Sequence, residues 1–151
     1  MDQDITIRQA ERGDLDGWIG LRAALWPEEP RAQLAESAAR FFERPEPTLE
    51  GVLIAIASGQ VVGFAELSRR PYAEGCVTSP VGFLEGWFVA PHWRRRGIGR
   101  ALVAAADAWA RERGCREFAS DTRFDNTSGA AAHHALGFEE VEQLRCFRKS
   151  L

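Results

Sequence analysis

The sequence predicts a mixed α/β domain, one sheet with helices on its faces, in the order β-α-α-β-β-β-α-β-α-β-β. Three features point to it. Two apolar, β-branched runs, 52–57 and 61–67, are joined by Ser58-Gly59-Gln60, a hairpin signal. A third run, 81–89, stops at Ala90-Pro91 and leads through a glycine turn into a helical stripe, as a crossover between parallel strands requires. The 151 residues are 45% apolar and 27% charged, which suits one domain, 1–151, and excludes a disordered tail.

Along the chain, Ile5 and Ile7 alternate with polar neighbours as a short strand. Asp14 then stands where it would cap a helix carrying Trp18, Leu21, Leu25 and Trp26, which Pro27 and Pro30 end. A second helix fits 31–42, with Leu34, Ala38, Phe41 and Phe42 near helical spacing, before Pro45 and Pro47. After the hairpin, 69–80 holds two prolines and a glycine and reads as a loop. In 97–113, Ile98, Leu102, Ala105, Ala106 and Trp109 form an amphipathic stripe, with Gly114 at the helix stop. The remainder reads as a strand at 116–120, a polar turn through Asn126, a short alanine-rich helix to Leu136, a stop at Gly137 and two closing strands.

The longest uncharged run, 51–65, is shorter than the ~20 residues of a bilayer-spanning helix, so no membrane helix is expected. The opening MDQDITIRQA lacks the basic flank and apolar block of a secretory signal, and Cys76, Cys115 and Cys146 are odd in number and widely spaced. Cytoplasm and no structural metal are the expectations. The net charge of −3 is too balanced to suggest a nucleic-acid binder. Its distribution says more: 91–116 holds seven arginines against two acidic residues, whereas 24–50 holds three arginines against six glutamates. The first segment suits an anion and the second a cation.

The chemistry concentrates in 83–102, FLEGWFVAPHWRRRGIGRAL. A strand, a glycine turn and a helix start present bare backbone N–H groups to a phosphate, glycines allow close approach, and arginines add charge-assisted bonds. No Gly-Lys-Ser/Thr follows, so this is no Walker loop, and the third glycine of a dinucleotide fingerprint is missing.

Phe88-Val89-Ala90-Pro91 followed by Arg94-Arg95-Arg96-Gly97-Ile98-Gly99 resembles the acyl-coenzyme A signature, Arg/Gln-x-x-Gly-x-Gly/Ala, of the GNAT superfamily of N-acetyltransferases. The element order matches that fold across essentially the whole chain. The resemblance implies acetyl-coenzyme A as donor, its pyrophosphate on the amides of 95–100 among Arg94, Arg95, Arg96, Gly97, Ile98, Gly99 and Arg100. It also implies a pantetheine arm on the open edge of the strand at Phe88 and Val89, and Asn126 near the cofactor.

Leu25-Trp26-Pro27 and the blocks 80–86, 114–122 and 135–140 are further similar to the aminoglycoside 6′-N-acetyltransferases. That likeness implies a polycationic aminosugar acceptor and a homodimer, with pairing through late strands; neither nucleic acid nor membrane is expected as a partner.

Acetyl transfer from a thioester to an amine needs an uncharged amine, a polarised carbonyl and a path for the released proton. Glu85, in the strand before the cofactor segment, is the candidate base, directly or through water. Asp121 ends the following strand and is expected on the same side of the sheet, giving a second carboxylate for ammonium groups. Glu66, Tyr72 and Glu142 are candidates to extend the pocket, and Trp26 to stack on a sugar ring; the resemblance carries Trp26, Tyr72, Asp121 and Glu142 more than spacing does. The N–H of Val89 is the candidate oxyanion donor.

Many GNAT enzymes place a tyrosine near the chain end as proton donor to the thiolate, whereas this chain reads Arg145-Cys146-Phe147-Arg148. Phe147 cannot donate a proton, and Tyr72 is the chain's only tyrosine. The expectation is therefore that no tyrosine acts as general acid, that Cys146 is a packed thiol, and that His92, His133 and His134 form no Ser/His/Asp set. A GNAT enzyme for a peptide, polyamine or other small amine, and a non-catalytic acyl-coenzyme A module, stand as alternatives.

Overall fold

The computed structural model describes residues 4–151 and arranges them around one five-stranded sheet, in the order β1-β2-β3-β4-β5. β1 (Ile5–Gln9), β2 (Gly51–Ala57), β3 (Gln60–Arg70) and β4 (Val81–Val89) are antiparallel neighbours, and β5 (Phe118–Ser120) runs parallel to β4. Two helices, α1 (Leu15–Leu25) and α2 (Arg31–Glu43), cover one face. The other is covered by α3 (Ile98–Glu112); α4 (Thr127–Ala135) follows β5.

Strand alternation divides the core. Val52 and Ile54 of β2 meet Trp18, Ala38 and Phe64 under α1 and α2, while Leu53, Ala55 and Ala57 meet Leu102, Ala106 and Trp109 of α3. A strand buried on both faces reads as an uninterrupted apolar run, which is what 51–57 shows.

One irregularity decides where the site's side chains fall. The β3–β4 register passes from Glu66↔Gly86 to Leu67↔Leu84, so Glu85 is the extra residue of a β-bulge. Leu84, Trp87 and Val89 therefore face the α3 core, while Gly86 and Phe88 face Trp26 and the α1 side.

Four expectations need correction. β3 runs on to Arg70, taking Arg69 and Arg70 out of the expected loop, because both residues pair with β4. β5 is shorter than 116–120, since only Phe118–Ser120 pair with β4. Asp14 does not cap α1 with its side chain. Its carboxylate accepts from Arg8, at 2.7 and 3.0 Å, and from the Glu11 N–H at 2.8 Å; the Arg8 hydrogen bond chiefly holds its carboxyl below the usual range.

The two closing strands are the fourth correction. Phe138 packs back on the α3 core, but 139–151 form no strand, Val141, Leu144, Phe147 and Leu151 stay exposed, and with them Cys146 is exposed instead of the packed thiol expected. Val141 lies against Gly75, where a Cβ would come within 2.5 Å of it. The sheet keeps free edges at β1, at β5 and at the end of β4, and the tail pairs with none of them. Among the described residues, no helix is long and apolar enough to cross a membrane.

Candidate active site

The turn before α3 is built to leave its amides bare. Gly97 sits at the N-cap with φ +82°, in the left-handed region where an L side chain is strained, and a Cβ there would meet nothing within 4 Å. No side chain caps the helix and no acidic residue stands in its first turn. The first-turn N–H groups thus keep their hydrogen-bonding capacity and partial positive charge. Arg95, with φ +62°, is a second left-handed residue two positions earlier, giving the turn an anion-binding curvature.

Arg94, Arg95, Arg96 and Arg100 are exposed and, among the described residues, unpaired with any carboxylate. Arg94 donates to the Val89 carbonyl at 2.9 Å and lies over the Phe88 ring; Arg96 lies over Trp93. Ile98 differs from its neighbours: it is buried, and only its backbone belongs to the turn.

Gly99 has another reason to be glycine than ligand approach. A Cβ there would come within 3.1 Å of the Trp87 ring, so its absence lets β4 and α3 close together. The Trp87 Nε1 is buried without a hydrogen-bond partner. An orphaned donor is costly unless something arrives to accept from it, and this one stands next to the open part of β4.

That opening follows from the pairing. β5 leaves β4 after Leu84↔Ser120, so the edge from Glu85 to Val89 has no strand on that side. The Ala90 N–H bonds to the Val62 carbonyl of β3. Successive amides alternate sides, so the N–H groups of Val89 and Trp87 point toward the open edge. Bare amides, unpaired arginines, an open strand edge and an orphaned donor fit an extended molecule with a diphosphate at one end.

A second polar face lies on the other side of β4. Glu85 accepts from the Ser68 hydroxyl and from Arg70, whose Nε and Nη2 donate at 3.0 and 2.8 Å. Trp26 packs over Gly86, beside it, where a Cβ would stand 2.7 Å from the ring, and leans on Phe64 with centroids 6.2 Å apart. Asp121 follows Ser120 directly and is exposed, one step past the last β4–β5 pair. Tyr72 is exposed on the loop after β3. Glu117 anchors that loop by accepting from the Thr78 hydroxyl and the Val77 and Thr78 N–H groups, bonds that hold its carboxyl below the usual range.

Glu66 does not belong to this face as a free carboxylate, contrary to expectation. It is buried, with Arg22 donating Nε and Nη2 at 2.8 Å each and Trp18 Nε1 at 3.1 Å. Its role is to tie α1 to β3. Glu142 lies on the exposed tail, away from any ion pair among the described residues. Asn126 caps α4, its Oδ1 accepting from the Gly129 N–H at 3.0 Å, and its Nδ2 donates to Thr122.

Sequence patterns alone do not reveal Ser68 and Arg70 as partners of Glu85, or Trp87 beside the open edge. Nor do they reveal a Ser–His contact: Ser120 Oγ lies 2.8 Å from His133 Nε2, with His133 Nδ1 on the Gly129 carbonyl at 2.6 Å. A nitrogen facing a carbonyl must donate, so Nε2 accepts from Ser120. Among the described residues no carboxylate completes a triad, and His133 packs edge-on against Trp87 and Phe138. No spacing rule joins these residues.

Comparison with known proteins agrees with this geometry. Residues 18–138 match the model of the Acetyltransferase (GNAT) family. The chain is 49% identical to an aminoglycoside N(6′)-acetyltransferase type 1 of Klebsiella aerogenes over the full length of both, and 47% identical to one of Stenotrophomonas maltophilia, covering 97% of this chain and 94% of that one. Among solved structures, aminoglycoside N-acetyltransferase AAC(6′)-Iy in complex with CoA superposes with a TM-score of 0.92 at 41% identity, covering 100% of this chain and 98% of that one. The same enzyme with a bisubstrate analogue, CoA-S-monomethyl-acetylneamine, gives 0.90 at 42% identity, covering 98% and 99%. The chain belongs to the GNAT family of acetyltransferases.

Proposed function

We propose that this chain moves the acetyl group of acetyl-coenzyme A directly to the 6′ primary amine of an aminoglycoside in a ternary complex, with 1–151 acting as one domain. The observation that carries the reading is the junction on β4, where one short stretch holds an open edge on the α3 side and a carboxylate, Glu85, at a bulge on the other. Full-length relatives named for that activity support it.

In this reading the amides of 95–100 and the side chains of Arg94, Arg95, Arg96 and Arg100 hold the pyrophosphate, and Phe88, Val89 and Trp87 line the pantetheine arm. Asn126 supports the same end of the site by holding the start of α4. When bound, the coenzyme supplies the activated thioester. The Val89 N–H polarises the carbonyl, and Glu85 holds the acceptor ammonium and takes its proton, directly or through water. Asp121, Tyr72 and Trp26 shape the acceptor pocket. No tyrosine serves the thiolate, which takes the departing amine proton or one from water.

The tail supports a homodimer. Residues 139–151 leave Val141, Leu144 and Phe147 in water, which pairing with a second copy would cover. Glu142 would join the acceptor pocket through that pairing. Acetyl-coenzyme A is a metabolite of the cell interior, so the reading puts the enzyme in the cytoplasm, where capping an ammonium of an aminoglycoside serves antibiotic resistance.

The test is thiol release from acetyl-coenzyme A with a panel of aminoglycosides, polyamines and peptides. Release confined to aminoglycosides, with one acetyl group added to the product by mass, is expected. Release with peptides alone, or none while the coenzyme binds, would replace the reading by one of its alternatives. Sedimentation tests the dimer: the full chain should run as two copies and a chain ending at Phe138 as one.

A further inference from the structure

The carboxylate assigned to the acceptor is already occupied by a cation of the protein's own. Arg70, the last residue of β3, holds both oxygens of Glu85 in a fork, with Ser68 on the same Oε1. Its guanidinium stacks on Phe83, 3.4 Å from the ring centroid. The pair is half open: the Arg70 side chain is 39% exposed and that of Glu85 20%. Glu85 has no other basic partner among the described residues.

We propose that Arg70 is an internal stand-in for the acceptor's ammonium group, and that a cationic acceptor binds by exchanging with it on Glu85. The inference rests on the assignment of Glu85 as the ammonium anchor and deepens it. The forked guanidinium takes one lone pair of each oxygen and the Ser68 hydroxyl another of Oε1, so a second cation cannot take the fork's bonds while it is closed. Replacing one cation by another leaves the local charge unchanged, which keeps the carboxylate paired throughout. Arg70 can leave because it is exposed and, among the described residues, its side chain's only other partner is the flat face of Phe83.

Specificity follows from the exchange. An acceptor with one ammonium trades one ion pair for another and gains little. A polycation gains from its further ammonium groups, for which Asp121, exposed one residue past the last β4–β5 pair, offers a second carboxylate. Arg70 is thus a filter that sets a threshold number of charges.

Calorimetry of kanamycin binding, without acetyl-coenzyme A, tests this on the full-length wild type and on Arg70→Met and Glu85→Gln. Arg70→Met should tighten binding by about threefold to tenfold, because the competitor is gone. Unchanged or weaker binding would overturn the exchange, since a residue that contacts the acceptor or merely supports the fold cannot loosen its grip by being present. Glu85→Gln tests the underlying assignment: binding lost there but not tightened in Arg70→Met defeats the exchange alone, whereas binding retained in Glu85→Gln defeats both. A measurement on the wild type keeps the proposal testable should a variant misfold. The Arg70 Nε–H resonance should move from a paired to a solvent-averaged position as kanamycin is added, and a resonance that stays paired at saturation would overturn the proposal.

Discussion

Two arginine–glutamate pairs, Arg22–Glu66 and Arg70–Glu85, stand on the α1 side of the sheet and are chemically alike. Both are forks with bonds of 2.8 to 3.0 Å. They differ in what surrounds them. The Arg22 and Glu66 side chains are 8% and 3% exposed, and Arg22 also donates to the Leu34 carbonyl and Ser37, while Trp18 donates to Glu66. With these fixed partners the first pair is scaffold. The second, 39% and 20% exposed, stands at the surface with room to part. The same chemistry serves fold or function according to how much water can reach it.

Stability measurements on single variants give the largest expected contrast. Arg22→Met leaves Glu66 buried without its counter-charge and should cost about 3–5 kcal/mol in denaturant unfolding, with much of it recovered in the double variant carrying Glu66→Leu. Arg70→Met should cost about 1 kcal/mol or less in the same assay. Equal losses would erase the distinction.

Activity should show the reverse ranking. Glu85→Gln should lower kcat/KM for the aminoglycoside by roughly 100- to 10,000-fold, with little change in coenzyme affinity. A normal rate would remove Glu85 from the reaction. A variant on the opposite face sharpens the separation of the two substrates: Gly99→Val pushes into Trp87 and should raise KM for acetyl-coenzyme A roughly tenfold while leaving that of the acceptor near its original value.

The smallest effect concerns a third pair, Arg8–Asp14. Because the folded carboxyl of Asp14 lies below its ordinary value, its contribution to stability is present above the unfolded value near ~4 and is lost as pH falls through the folded one. Thermal melts of Asp14→Asn should differ from wild type by about 1 kcal/mol or less near neutrality, and the gap should close on acidification. A gap independent of pH would assign the cost to packing.

Much of the fold, and the bare glycine turn before α3, is legible in the sequence, for identifiable reasons. The apolar run in 51–57 and the stripe from Ile98 to Trp109 are local patterns, and local patterns dictate strands, helices and the glycine turn between them. The role of Glu66 is hidden because its partner lies 44 residues away; only the Trp18–Arg22 spacing of four on α1 hints that a polar tip faces the core. Arg70 looks like a loop residue because Pro71 follows it, whereas the strand ends one residue before the proline instead of several. The tail has the sequence of a strand, yet such a segment acquires that form only from a neighbour, and composition does not name the neighbour. Asp14 has a capping residue's position but spends its oxygens on Arg8, a choice set by tertiary proximity.

The single extra residue at Glu85 acts as a phase shifter. Upstream and downstream of it, β4 is two half-strands out of step by one position, which is why a carboxylate and a bare Gly86 share one face while Trp87 belongs to the opposite one. Substitutions along β4 are therefore graded events, but losing one residue at that point would let β4 alternate regularly against β3, with Leu84 and Trp87 still on the α3 side and a single position left where the carboxylate and the bare Gly86 now stand together. Length, more than identity, is the quantity that this strand must conserve.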